Sequence, residues 1–138
     1  MPQERPYTPA EIDVSCSTVL SWLFSTASTW LVIGTFLTVL AFIKLHVPGM
    51  FADAAWLTFG RLRPAAMDTL LYGFASQAAI GVSLWLMCRL GATTLCCKAP
   101  VLLATAFWNL GVAVGVLGIL SGGSTGFAWL EMPRFAHG

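Results

Sequence analysis

Residues Val14 to Ile43 read VSCSTVLSWLFSTASTWLVIGTFLTVLAFI and carry no charge between Asp13 and Lys44. As an α-helix rising 1.5 Å per residue, such a run would be about 45 Å long, more than the roughly 30 Å of a bilayer's hydrocarbon core. Two more uncharged stretches follow, Thr69 to Cys88 between Asp68 and Arg89, and Ala99 to Leu130 between Lys98 and Glu131. An ionisable group in hydrocarbon costs a few kcal/mol or more, so in a chain with seven basic and six acidic residues the charges mark where membrane segments stop. The pattern predicts an all-α integral membrane protein with three transmembrane helices in one domain, residues 1–138, with short tails at both ends.

Composition agrees. Of 138 residues 57% are hydrophobic and 9% charged, with mean hydropathy +0.79, which excludes a large soluble catalytic domain. A net charge of +1 without a basic run leaves no electrostatic footprint for nucleic acid, so the bilayer is the first partner. Local signals trim the spans to about Leu20–Leu45, Ala65–Arg89 and Pro100–Leu120. Val47-Pro48-Gly49 supplies turn residues after the first, Pro64 is read as opening the second, and Ser121-Gly122-Gly123-Ser124 closes the third. The first span is far longer than a signal-peptide core, and Arg5 stands among Glu4, Glu11 and Asp13, so it is expected to be retained. Arg5, Arg89 and Lys98 against Lys44, Arg61, Arg63 and Arg134 is too even a division to orient the chain.

Small and polar residues within the spans point to helix packing. Gly111, Gly115 and Gly118 form a Gly-x-x-x-Gly step with one further small residue, and Gly73 and Gly81 lie in a small-residue stretch of the second span. Both stripes let another backbone approach, within the three-helix unit or on a larger partner. Gln77 and Asn109 are amides in hydrocarbon and are expected to hydrogen-bond across to a neighbouring helix. Asp68 reads as a carboxylate at a helix N-terminus. The four cysteines show no Cys-x-x-Cys, and His46 and His137 stand at no ligand spacing from them, so no metal site is predicted. They read as membrane-edge residues or lipid-modified thiols, a disulfide requiring an oxidising side.

The first loop is the most specific segment: Trp56-Leu57-Thr58-Phe59-Gly60-Arg61-Leu62-Arg63-Pro64 sets two arginines just before a proline. By chemistry alone this is a cationic collar that either snorkels to lipid phosphates or grips the carboxylates of a buried cofactor. The segment resembles the loop leading into the second helix of subunit I of the cbb-type (C-family) haem-copper terminal oxidases. Tyr72-Gly73-Phe74, Arg89, Trp108 and the tail from Gly126 to Pro133 extend the likeness over nearly the whole chain, aligned to the first three helices of that many-helix subunit.

The resemblance implies that Arg63, with Arg61 beside it, contacts haem propionates. In the family the motif runs on to a histidine that ligates haem b, and the matching position here is Ala66, which has no donor atom; Met67 follows, about 100° further round the helix. The resemblance therefore implies no catalytic residue and no ligated metal or haem in this chain, only contact with a haem b held by a partner. The family's copper-ligating histidines lie on later helices and have no counterpart here. Its topology implies a bacterial inner membrane, a cytoplasmic N-terminus, a periplasmic first loop and a cytoplasmic Cys96-Cys97. Two functions follow: a subunit-I-like part of an oxidase complex, packed on a larger membrane subunit with the redox centres, or a haem-free assembly or anchoring protein derived from one.

Three crossings place the two ends of the chain on opposite faces of the membrane. Tags at the two ends should differ in accessibility to an impermeant protease in sealed vesicles, and equal accessibility would refute the span count.

Overall fold

The structure, a computed structural model, describes residues 7–51 and 53–125, and these are all-helical. The tail from Gly126 to Pro133, together with Arg5, Arg134 and His137, lies outside the described residues. Three helices are long and apolar enough to cross a membrane: α1 (Pro9–His46), α2 (Phe59–Leu90) and α3 (Lys98–Ser121). They run up, down and up, with α1 packed along α2 and α3 resting on both.

Helix α1 begins well before Leu20. Thr8 caps it and Pro9 opens it, with a reciprocal box in which Glu11 accepts from the Thr8 N–H at 2.8 Å and the Thr8 hydroxyl accepts from the Glu11 N–H at 3.4 Å. Charge at Glu11 and Asp13 ends the part that can lie in hydrocarbon, whereas backbone hydrogen bonding, which charge does not interrupt, sets the end of the helix. The 38 residues rise about 57 Å, so α1 projects beyond the roughly 30 Å core.

Pro64 does not open α2. The helix starts at Phe59, where the Thr58 carbonyl accepts from the N–H groups of Arg61 at 3.0 Å and Leu62 at 2.9 Å, and Pro64 is buried inside it. The ring removes the hydrogen bond to the Gly60 carbonyl, and Gly60 is exposed near the helix end, where that loss is least costly. Asp68 consequently stands deep within the helix and is 1% exposed, a correction to its reading as an N-terminal carboxylate.

Between Thr69 and Ala75 α2 widens into a π-helix, in which Ser76 N–H reaches back to the Leu71 carbonyl. Side chains take up the carbonyls of this segment: the Ser76 hydroxyl donates to Leu71 O at 2.9 Å, Trp108 Nε1 to Tyr72 O at 2.9 Å, and Gln77 Nε2 to Gly73 O at 2.7 Å. In lipid, where water cannot do this, such partners are required. Gly73 is also a contact point, since a Cβ there would lie 2.7 Å from Trp30 Cγ.

The polar centre of the bundle is an amide pair. Gln77 Nε2 donates to Asn109 Oδ1 at 3.1 Å, and Asn109 Nδ2 returns a bond to Gln77 Oε1 at 3.2 Å. Asn109 Nδ2 also donates to Thr105 O at 2.7 Å. From α1, Trp30 Nε1 donates to Asn109 Oδ1 at 2.6 Å, and the Thr26 hydroxyl lies 2.7 Å from Gln77 Oε1. Each amide thus meets two donors at its oxygen and two acceptors at its nitrogen, and three helices meet at one point. Toward the Phe59 end of α2, Ala65, Val112, Val116 and Ile119 form a buried apolar cluster against which Trp30, Leu37 and Tyr72 pack.

Asn109→Leu would leave Trp30 Nε1 and half of the Gln77 amide without partners, and should lower stability by about 1–2 kcal/mol. Adding Gln77→Leu should cost less than the sum of the single effects, because the orphaned amide is removed along with its partner. Unfolding titrations in micelles measure this, and strict additivity would show that the two amides do not act as a unit.

Candidate functional site at the α1–α2 groove

Residues Phe59, Arg63, Ala66 and Met67 fall at i, i+4, i+7 and i+8 on α2, and so share one face. Opposite them stand Thr38, Ala41, Phe42 and Leu45 of α1, at i, i+3, i+4 and i+7. Between the two faces runs a groove of about 310 Å³ lined by these eight residues. The Thr38 hydroxyl donates to Gly34 O of its own helix at 2.7 Å, so its polar group is turned into the helix. Ala66 is buried at 3% exposure, Met67 is 38% exposed, and Arg63 is exposed beside them. The groove therefore offers apolar walls and one guanidinium.

Arg61 is not in this groove. Two residues from Arg63 it points some 200° round the helix, and its Nη1 donates to the Leu120 carbonyl at 3.2 Å. That carbonyl belongs to the last turn of α3, where a cation meets the negative end of the helix dipole. The α3 terminus is shaped for this contact. Gly122 takes φ +101°, its N–H bonds Ile119 O at 2.9 Å, and Gly123 N–H bonds Gly118 O at 2.9 Å, a Schellman closure. A Cβ on Gly122 would lie 2.7 Å from Arg61 Nη2. The arginine collar anticipated from sequence is thus divided, Arg61 fastening α2 to α3 and Arg63 facing α1.

The packing residues also divide. Gly73, Gln77, Gly81 and Gly115 are buried, and a Cβ on Gly81 would lie 3.2 Å from Phe24 Cζ. Gly118 is half-buried, whereas Gly111 is exposed, with nothing within 4 Å of where its Cβ would be. The Gly-x-x-x-Gly step therefore turns one glycine inward and the other outward. Trp30 and Thr26 complete the amide network and were not anticipated; a tryptophan at mid-span, away from the interfacial belt, was the available signal.

At the opposite end, Asp13 Oδ1 accepts from Trp85 Nε1 at 3.0 Å and lies 3.7 Å from Arg89 Nε, whose guanidinium stacks 5.5 Å from the Trp85 ring centre. This exposed ion pair adds little stability by itself but marks the membrane edge. Among the described residues no group of three or more His, Cys, Asp or Glu side chains is placed to hold a metal. Cys96 and Cys97 are exposed, and a hydrogen bond with the Cys96 thiol raises the Cys97 thiol above its ordinary range. His46 Nδ1 lies 2.9 Å from Phe42 O, and His46 does not line the groove.

The fold and this groove define a multi-pass membrane bundle of three helices with an arginine-flanked apolar cleft. Over 80 residues the chain is 34% identical to the "Cbb3-type cytochrome c oxidase subunit CcoN1" of Stutzerimonas stutzeri, a stretch that makes up 58% of this chain and 16% of that protein. The likeness supports a relation to that oxidase subunit, of whose length the chain spans only a small part. No family model matches the chain, and no solved structure matches it significantly.

Gly122→Ala should lower stability by about 1–2 kcal/mol, because an L-residue is strained in the left-handed region and its methyl meets Arg61. Thermal unfolding of the purified protein checks this. In an Arg61→Leu background part of the penalty should disappear; an unchanged penalty would mean that the contact with Arg61 contributes nothing.

Proposed function

We propose that the chain is a component of a cbb-type cytochrome c oxidase-like respiratory complex, corresponding to the N-terminal three helices of subunit I. In this reading it packs on a larger membrane subunit that carries the remaining helices and redox centres, and is not catalytic by itself. Its place is a bacterial inner membrane, with the α1 N-terminus cytoplasmic and the loop before α2 periplasmic. Similarity to one oxidase subunit supports the class of complex. The observation that carries the reading is the position of Arg63 beside an apolar groove whose wall includes Ala66.

Fit to a haem divides into two questions. For ligation the groove does not fit: Ala66 has no donor atom, and no lining residue has an imidazole. Met67 does line the groove, but its thioether is the only soft donor there and would stand alone. For contact the groove fits, because Phe42, Leu45, Phe59 and Met67 offer apolar surface and Arg63 offers a cation to a carboxylate. We assign the propionate contact to Arg63 first; Arg61, with one donor on Leu120 O, retains others for an anion at the same interface. The absence of a donor at Ala66 supports a second reading, a haem-free assembly or anchoring protein derived from such a subunit.

Replacing Arg63 with Leu in the assembled complex should remove a charge-assisted contact worth about 1.5–3 kcal/mol. It should also lower the midpoint potential of the neighbouring haem, since a positive charge nearby favours the reduced form. A redox titration followed by haem absorbance measures the shift. The isolated chain should carry no stoichiometric haem. An unchanged potential for every haem in the complex would favour the anchoring protein, and a bis-axial haem b in the isolated chain would overturn the assignment at Ala66.

A further inference from the structure

Cysteines that look unrelated in sequence meet at one end of the bundle, remote from the arginine groove. Cys16 lies on the N-terminal part of α1 and Cys88 near the C-terminal end of α2, and antiparallel packing brings those two ends together. Both are free thiols, exposed by only 2% and 8%, and they share one buried cluster with Ile12, against which Leu20 and Leu95 pack. Each helix thus contributes one thiol to the same packed cluster, Cys16 from α1 and Cys88 from α2. The loop after α2 is fastened over them, since Leu95 N–H donates to Ser15 Oγ at 3.1 Å and that oxygen lies 3.6 Å from Cys16 Sγ.

This end also lies at the water side of the membrane. Asp13, Trp85 and Arg89, which contact one another, lie within three residues of Cys16 or Cys88 along the same two helices, and α1 is longer than the thickness of the hydrocarbon core. Terminal turns outside the bilayer open locally at low cost, which gives small solutes access to thiols that are covered most of the time.

We propose that Cys16 and Cys88 form a redox-active dithiol that closes into a disulfide joining α1 to α2. The oxidant is a small-molecule disulfide of the glutathione class. The Cys88 thiolate, from the more exposed of the two, attacks one sulfur of that disulfide and expels the other as a thiol, leaving a mixed disulfide on Cys88. Cys16 then attacks the Cys88 sulfur, forming the internal bond and expelling the second small thiol. The protein dithiol loses two electrons and two protons, and the small disulfide gains both and becomes two thiols. The bond requires Cα atoms roughly 4.4–6.8 Å apart, a separation that two packed antiparallel helices can reach where both cysteines face the contact. Oxidation would lock the projecting end of α1 to α2 at the membrane edge.

The test uses the full chain in mild detergent, with Cys96→Ser and Cys97→Ser so that only the buried pair remains. The protein is equilibrated with reduced and oxidised glutathione, denatured and labelled with a polymer-linked maleimide. The expected result is conversion from two labelled thiols to none, with peptide mapping that joins Cys16 to Cys88. Adding Cys88→Ser should abolish the internal bond. Two thiols that stay labelled at glutathione ratios that oxidise an exposed dithiol, or that are lost only after denaturation, would overturn the proposal. If the double variant loses helical circular dichroism, the same mapping on the unaltered chain decides: a Cys16–Cys88 peptide supports the proposal, and any other pairing, or none, overturns it.

Discussion

The reciprocal hydrogen bonds between Gln77 and Asn109 constrain the rest of the bundle, because two primary amides in hydrocarbon must find partners for every donor and acceptor. Between them they use the Gly73 and Thr105 carbonyls, the Trp30 indole and the Thr26 hydroxyl, so each helix contributes and the helices cannot rotate independently. Apolar side chains cannot supply this specificity, since lipid tails solvate them as well as a neighbouring helix does. The π segment of α2 belongs to the same constraint. It presents the Gly73 carbonyl to Gln77 and lets Trp30 lie against the Gly73 backbone, while Trp108 of α3 takes up the Tyr72 carbonyl.

With the helices held in register by the amides, the two ends of α2 acquire different tasks. Near its start, Arg61 and Arg63 diverge, one closing the α3 terminus and the other flanking the cleft with α1. Near its end, Arg89 and Trp85 gather on Asp13 of α1, and Cys88 meets Cys16. The outward-facing Gly111 leaves close approach open to a further helix, in keeping with a unit that packs on a larger one. The proposed role requires little chemistry of this chain: a cation placed against a partner's cofactor, on a scaffold whose mid-span amides are satisfied internally.

Sequence revealed the membrane helices more readily than their ends. Charges at Asp13, Lys44, Asp68, Arg89 and Lys98 bound the apolar stretches because hydrocarbon excludes charge, but helices obey backbone hydrogen bonding, and α1 therefore continues to the Thr8 cap. Pro64 misled for a related reason, since proline is tolerated within a helix where the freed carbonyl lies near an exposed end. The widened turn at Thr69–Ala75 left no recognisable mark, as it depends on side chains of α3 and of the following turn. Gln77 and Asn109 stood out as amides among apolar residues, whereas the divergence of Arg61 from Arg63 follows only from the helix extending back to Phe59. The meeting of Cys16 and Cys88 is a property of topology and has no local signature.

The central claim is that this three-helix unit serves as part of a larger haem-bearing assembly. Affinity purification of the protein from its native membranes in mild detergent tests it most directly, with identification of the accompanying polypeptides and a reduced-minus-oxidised spectrum of the same fraction. The account predicts one larger membrane subunit in fixed ratio and a haem b signal that stays with that subunit when the two are separated. Recovery of the three-helix chain with no haem-bearing partner, or with haem that follows the small chain on separation, would contradict it.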